Sequence, residues 1–272
     1  MGTSKIEWCD RTWSPVTGCS AISAGCLHCY AKRMANRLRG RYGYPADEPF
    51  LVTFHPDRLE EPLHWKKPSM VFTCSMGDVF HTGVQANWRD EIFRVMRVCP
   101  EHTFMLLTKR PRVALEYLSK RNWISGYWAK AEHTPGASKP LQNVWLGVTA
   151  ENQQAADERI PLLLQCPAAV RFVSCEPLLG PIEFPLGDET EEMERSEIGL
   201  RGCGMGINGE SINWVIVGGE TGPGARPMNP DWVRSIHDQC QAAGVPFFMK
   251  QMSKKTPIPS DLLIRELPEM RP

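Results

Sequence analysis

Short apolar runs alternate with helical stretches along almost the whole of this 272-residue chain. Several of the runs are apolar on both faces, as buried parallel strands are. Candidate strands cover residues 12–17, 50–54, 70–75, 103–108, 143–149, 170–175, 213–217 and 246–250, with helices near 27–40, 57–65, 87–98, 111–121, 152–165 and 230–243. This alternation predicts an α/β fold, most simply a complete or partial parallel (β/α) barrel.

Length and composition favour one barrel-sized domain over residues 1–272, with insertions at about 122–142 and 180–212. The polar N-terminus has no apolar signal segment, and no apolar stretch approaches the roughly 18 residues that span a bilayer. Ten cysteines without a secretory signal predict a cytoplasmic protein. The 31 basic and 31 acidic residues exclude a protein that holds nucleic acid by bulk charge, although a local basic patch remains compatible.

Three cysteines near the N-terminus carry the strongest chemical signal. Cys19, Cys26 and Cys29 have the spacing C-x6-C-x2-C, on a loop between a candidate strand and a candidate helix. Three thiolates can hold a 4Fe–4S cluster by three irons and leave the fourth iron open to bind a ligand. Structural zinc, completed by His28 or Cys9, and three ordinary buried thiols remain alternatives. Because no second C-x2-C occurs, the cluster is the favoured interpretation.

Polar residues follow most of the candidate strands, at the ends that share one edge of a parallel sheet. A shared polar cavity is therefore predicted there, although Asp78 and Thr149 could instead be helix caps. The glycine-rich run at 218–227 follows a buried strand but lacks the lysine of a P-loop. The strand-end residues proposed for cofactor binding are Ser75, Gly77, Asp78, Thr108, Lys109, Arg110, Thr149, Asn152, Ser174 and Glu220.

A basic run follows the cysteines directly. It consists of Lys32, Arg33, Arg37, Arg39 and Arg41. One interpretation is a solvated helix face, and the other is an edge that contacts phosphates.

The segment from Ser14 to Ala31 resembles the cluster loop of the radical S-adenosylmethionine superfamily. It is especially similar to the spore-photoproduct-lyase-like branch, where Tyr-Ala and a basic helix follow the last cysteine. The whole chain resembles a phage- and bacteria-encoded three-Cys-motif family of unknown function. The first gap is six residues instead of the commoner three, and His28 holds a position that is usually aromatic. The matching blocks lie at 75–80, 107–111, 147–152, 157–161 and 217–220.

This resemblance implies an enzyme of the lyase or transferase type, with a 4Fe–4S cluster on the three cysteines and S-adenosyl-L-methionine as cofactor. It implies cleavage to a 5′-deoxyadenosyl radical and a one-electron donor such as flavodoxin or ferredoxin. Lys109, Arg110 or Arg159 could pair with the methionine carboxylate. A DNA or RNA base is the expected substrate. The alternatives are a radical enzyme acting on a small molecule or peptide, and a non-catalytic zinc-stabilised binding protein.

Overall fold

A computed structural model describes residue 4 and residues 6–120, 140–184 and 211–269. The predicted insertions at 122–142 and 180–212 lie almost wholly outside the described residues. The chain divides into two compact units, Met1–Leu146 with Cys166–Ala169, and Gly147–Gln165 with Val170–Pro272. The predicted organisation as a single domain stays a prediction.

The fold class is α/β, as the sequence predicts. Seven strands form one parallel sheet in the order β1-β4-β5-β6-β7-β8-β9, the topology of a partial (β/α) barrel with β1 and β9 at its edges. These strands are β1 (Arg11–Trp13), β4 (Met70–Thr73), β5 (Thr103–Thr108), β6 (Val144–Thr149), β7 (Val170–Cys175), β8 (Trp214–Gly218) and β9 (Phe247–Gln251).

Two of the eight predicted strands do not join the parallel sheet as expected. The run 12–17 divides at Ser14-Pro15 into β1 and β2 (Val16–Thr17), because proline has no N–H with which to continue the ladder. The run 50–54 contributes only β3 (Thr53–Phe54), which pairs antiparallel with β2 in a separate two-stranded sheet.

The helices lie close to their predicted positions, except that the predicted helix 57–65 is an α-helix for only four residues and is followed by a 3-10 helix at Glu61–His64. They are α1 (Tyr30–Arg37), α2 (Pro56–Leu59), α3 (Ala86–Val98), α4 (Pro111–Leu118), α5 (Gln153–Gln165) and α6 (Pro230–Ala243). The first begins later than predicted because Ala24–Cys26 forms a short 3-10 helix and Cys29 is the N-cap. The last ends at Gly244, whose left-handed φ of 65° makes it the C-cap.

Each unit has its own aromatic core. In the first, Trp13 packs on Phe104 with ring centroids 5.5 Å apart, and Phe93 contacts Tyr117 at the same separation. In the second, Trp214 packs between Phe172 and Phe248. Within the described ranges, no helix is long and apolar enough to cross a membrane.

Candidate functional site

The three cysteines lie on the connection between β2 and α1, in the first unit. Cys26 ends the 3-10 helix, and Cys29 caps α1. All three are partly exposed, whereas the six other cysteines that the structure describes are buried. Solvent access therefore separates this trio from the other described cysteines, and a partly exposed thiol is accessible to a metal or a reagent.

Two glycines bring the start of the cysteine loop against the end of β4. Gly18 has a left-handed φ of 86°, and a Cβ there would lie 2.1 Å from the Leu51 carbonyl oxygen. Its N–H donates to the Met76 carbonyl oxygen at 2.9 Å, and Gly18 forms a parallel bridge with Gly77. A Cβ on Gly77 would in turn lie 2.9 Å from the Gly18 carbonyl oxygen. Gly77 therefore serves close backbone packing.

The β2–β3 pair that precedes the loop is tied down by a buried histidine. His55 Nε2 lies 2.7 Å from Thr17 Oγ1, and the His55 N–H donates to the Pro15 carbonyl oxygen at 2.7 Å. Burial, with a smaller contribution from the charge on Arg58, lowers the pKa of His55 to about 4. The imidazole is therefore neutral at pH 7 and acts as a hydrogen-bonding anchor.

The thiols of the loop differ in their electrostatic environment. Burial and the Asp78 carboxylate raise the pKa of Cys19, outweighing Arg110. Burial also raises the pKa of Cys26, but backbone hydrogen bonds at Ile22 and Ser23 and the charge on Lys109 outweigh it, so this pKa is lowered. By contrast, burial raises the pKa of Cys74 and of Cys240 to about 12. Of Cys19 and Cys26, Cys26 is thus the cysteine that more readily forms a thiolate.

Arg110 connects the cysteine loop to the ends of β4 and β5. Its Nη1 donates to Cys19 Sγ at 3.2 Å and to Asp78 Oδ2 at 2.9 Å, and its Nη2 donates to the Ser20 carbonyl oxygen at 2.9 Å. Asp78 also accepts from Thr108 Oγ1 at 2.9 Å. These five residues, Cys19, Ser20, Asp78, Thr108 and Arg110, are called the Arg110 network below. Three of its members were predicted strand-end residues.

Ser20 and His81 are additions that the sequence did not single out. The Gly83 N–H donates to His81 Nδ1 at 2.9 Å, which places the imidazole proton on Nε2. That Nε2 lies 2.8 Å from Ser20 Oγ, which also accepts from Arg110 Nη2 at 3.1 Å. Ser20 adjoins Cys19 in sequence, but nothing in the sequence places His81 near the loop.

In the described part of the chain, no group of three or more histidine, cysteine, aspartate or glutamate residues lies close enough to hold a metal ion. The three thiols therefore supply suitable donors without a preformed cage. Cys19 is turned towards Arg110, while Cys26 contacts Ser23 Oγ at 3.8 Å. Among the described residues, the zinc alternative has no preformed cage either. Its candidate ligand Cys9 is buried, and the Cys9 thiol donates to Ser4 Oγ.

Arg159 lies in the second unit, in a buried ion pair. Its Nη1 lies 2.8 Å from Glu151 Oε2 and donates to the Thr149 carbonyl oxygen at 2.7 Å. The side chains of Arg159 and Glu151 are only 5% and 1% exposed. Pairing of Arg159 with a cofactor carboxylate stays a prediction, and it would require this ion pair to break.

Two of the other predicted residues of the second unit, Asn152 and Glu220, have side-chain partners within the protein. Asn152 Oδ1 accepts from the Ala155 N–H at 3.0 Å, which caps the start of α5. Ser174 is buried at the end of β7. Glu220 accepts from Arg226 Nη2 at 2.6 Å. Their cofactor roles remain predictions, as do those of Ser75 and Lys109, which are partly exposed in the first unit.

A polar cluster that was not assigned to the site follows β7 and β9. Lys250 Nζ lies 2.6 Å from Glu176 Oε1, and Gln251 Nε2 donates to the same oxygen at 3.3 Å. Both side chains of the ion pair are about one-fifth exposed. The sequence places these residues at strand ends, but only the structure joins them.

The basic run divides into two groups. Arg39 Nη1 donates to the Ala46 and Asp47 carbonyl oxygens, and Arg41 Nη2 donates to the Arg37 carbonyl oxygen, so two guanidiniums bind the chain itself. On α1, Lys32 and Arg37 are exposed, and Tyr30 is 59% exposed. Tyr30, Lys32 and Arg37 therefore form an exposed face of α1 directly after the last cysteine.

A family profile described as "Protein of unknown function (DUF5131)" matches residues 3–261. The chain belongs to this family. No curated protein matches it.

Three solved structures match, all of them of spore photoproduct lyase. The lyase complexed with dinucleoside spore photoproduct has 11% identity and a TM-score of 0.41, over 84% of this chain and 60% of that one. A mutant of the lyase with bound AdoMet and dinucleoside spore photoproduct has 10% identity and a TM-score of 0.42, over 85% and 61%. This chain thus spans about three-fifths of the structures it matches.

Proposed function

We propose that this protein is an iron–sulfur radical S-adenosylmethionine enzyme that modifies or repairs a nucleic acid base. The observation that carries the proposal is the cysteine loop. Its three thiols are partly exposed on one short connection, next to the end of a strand of a parallel α/β sheet, while the other described cysteines are buried. Functional residues of parallel barrels lie at this edge.

The residues fit the proposed cofactors by their donor chemistry. When bound, the cluster supplies the electron that cleaves S-adenosylmethionine to methionine and a 5′-deoxyadenosyl radical. Cys19, Cys26 and Cys29 would hold the cluster, and Lys109, partly exposed after β5, would meet the methionine carboxylate as a point charge. Because Arg110 already pairs with Asp78, we assign its second hydrogen bond to the Cys19 sulfur and not to the methionine carboxylate. A one-electron donor such as flavodoxin or ferredoxin would reduce the cluster.

The reaction class is tested by anaerobic reconstitution with iron and sulfide. The reconstituted protein should contain about four irons per chain. With dithionite and S-adenosylmethionine, it should release methionine and 5′-deoxyadenosine in equal amounts, measured by chromatography. A sample without dithionite is the control and should release neither product. Stoichiometric zinc without iron would favour the zinc-stabilised alternative, and a cluster that releases no 5′-deoxyadenosine would contradict the radical reaction.

The substrate proposal depends on the exposed face of α1. Tyr30, Lys32 and Arg37 combine an aromatic ring with two positive charges directly after the last cysteine. An aromatic face can stack on a flipped or single-stranded base, and the cations can contact its phosphates. Because the net charge of the chain is zero, this face would have to supply the attraction locally.

The double variant Lys32→Gln/Arg37→Gln should weaken binding of single-stranded oligonucleotides about equally for all sequences. The slope of log affinity against log salt should become shallower by about 0.7 for each phosphate that is no longer neutralised, measured by fluorescence anisotropy. Lys66→Gln/Lys67→Gln removes the same charge from exposed residues just before β4, and should leave the slope unchanged. Equal slopes for both variants, or no binding by the wild type at low salt, would favour a small molecule or peptide as substrate.

A further inference from the structure

Arg110 makes a hydrogen bond to Cys19 in addition to its ion pair with Asp78. Its Nη1 lies 3.2 Å from the sulfur, although the same nitrogen already has a carboxylate partner, Asp78, at 2.9 Å. The side chains of Arg110 and Asp78 are only 9% and 7% exposed. An N–H···S hydrogen bond therefore runs from a nearly buried guanidinium to the first cysteine of the loop.

The position of this guanidinium is fixed from three sides. Asp78 accepts from Thr108 Oγ1 and from the Phe80 N–H at 2.9 Å each, which holds the carboxylate. The Arg110 N–H donates to Thr108 Oγ1 at 2.9 Å, which holds the backbone of Arg110. Nη2 donates to the Ser20 carbonyl oxygen, one residue after Cys19. The donor cannot easily turn away from the sulfur, so the contact is preorganised.

We infer that Arg110 is a positioning residue that tunes the reduction potential of a cluster held by Cys19, Cys26 and Cys29, by donating a hydrogen bond to the Cys19 sulfur. This inference rests on the proposed function. Reduction by one electron adds negative charge to the cluster and its sulfurs, and an N–H donor at a ligating sulfur stabilises that added charge. Arg110 should thus raise the potential and make the cluster easier to reduce.

The test must separate the hydrogen bond from the charge. Arg110→Met alone leaves Asp78 as an uncompensated buried anion and could fail to fold. In the double variant Asp78→Asn/Arg110→Met, one positive and one negative charge are removed together, so the local net charge is unchanged while the donor to Cys19 disappears. Arg112→Met is the matched control, because it removes an exposed arginine two residues away on α4.

The measurement is a dithionite titration of each reconstituted protein with redox mediators, followed by electron paramagnetic resonance of the reduced cluster. For Asp78→Asn/Arg110→Met, the ratio of reduced to oxidised cluster at a fixed potential should fall about tenfold, which is ~59 mV for a one-electron couple. Arg112→Met should keep the wild-type ratio within about twofold.

Iron content separates failure of the inference from failure of the proposed function. A double variant with wild-type iron and an unchanged potential would overturn the inference alone. A folded double variant that binds no iron would assign Arg110 to cluster retention and would also overturn it. Weaker S-adenosylmethionine binding at an unchanged potential would return Arg110 to the methionine carboxylate. Absence of iron and sulfide from the wild type would contradict both the inference and the proposed function.

Discussion

Replacing Cys26 by alanine should reduce the iron content of the reconstituted protein from about four atoms per chain to none. The same loss is expected for Cys19→Ala and Cys29→Ala, because a cluster on three thiolates loses a covalent ligand in each case. Iron and acid-labile sulfide are measured after anaerobic reconstitution, together with the visible absorbance of the cluster. Because Cys26 is partly exposed, Cys26→Ala should change folding stability by less than about 0.5 kcal/mol.

Cys240→Ala is the matched control for these variants. Cys240 is a free cysteine buried on α6, in the second unit, and burial raises the pKa of its thiol to about 12. It should therefore bind no iron as a thiolate, and its loss should leave the iron content at the wild-type value. A Cys26→Ala protein that retained four irons would remove Cys26 from the ligand set.

Arg159→Met should lower the free energy of unfolding by about 3–5 kcal/mol, because breaking a buried ion pair leaves a charge without compensation. The change leaves Glu151, whose side chain is 1% exposed, as a buried carboxylate without its guanidinium, and leaves the Thr149 carbonyl oxygen without that donor. The loss is measured by urea unfolding followed by circular dichroism. Converting both partners, as Glu151→Leu/Arg159→Met, should recover most of the stability because no buried charge remains.

Arg234→Met is the control for the Arg159 prediction. Arg234 also makes two ion pairs, with Asp231 and Asp261 at 2.7 Å each, but its side chain is 43% exposed. Water already solvates those charges, so its removal should leave the unfolding midpoint nearly unchanged. Equal losses for Arg159→Met and Arg234→Met would show that burial does not govern the energy of the Glu151 pair.

Periodicity located most of the sheet because strands buried on both faces must be almost continuously apolar. The runs that became β5, β6 and β7 were predicted within one residue of their bounds. The prediction failed for 12–17 and 50–54, where one proline ended a ladder and an apolar run paired outside the parallel sheet. The hydrophobic pattern predicts which segments are buried, but it does not determine which strands pair with each other.

The sequence by itself determined the α/β class, the short loop that carries Cys19, Cys26 and Cys29, and the polar character of the strand ends. Local rules suffice there, because apolar runs predict burial and the close spacing of the cysteines places them on one short connection. Only the tertiary structure decided which polar residues meet. It joined Arg110 to Cys19 across 91 positions of sequence and paired Arg159 with Glu151 inside the protein. The packing of strands and loops determines which residues become partners, and local sequence does not show it. Each buried charge needs such a partner, because burying an unpaired charge costs a large free energy.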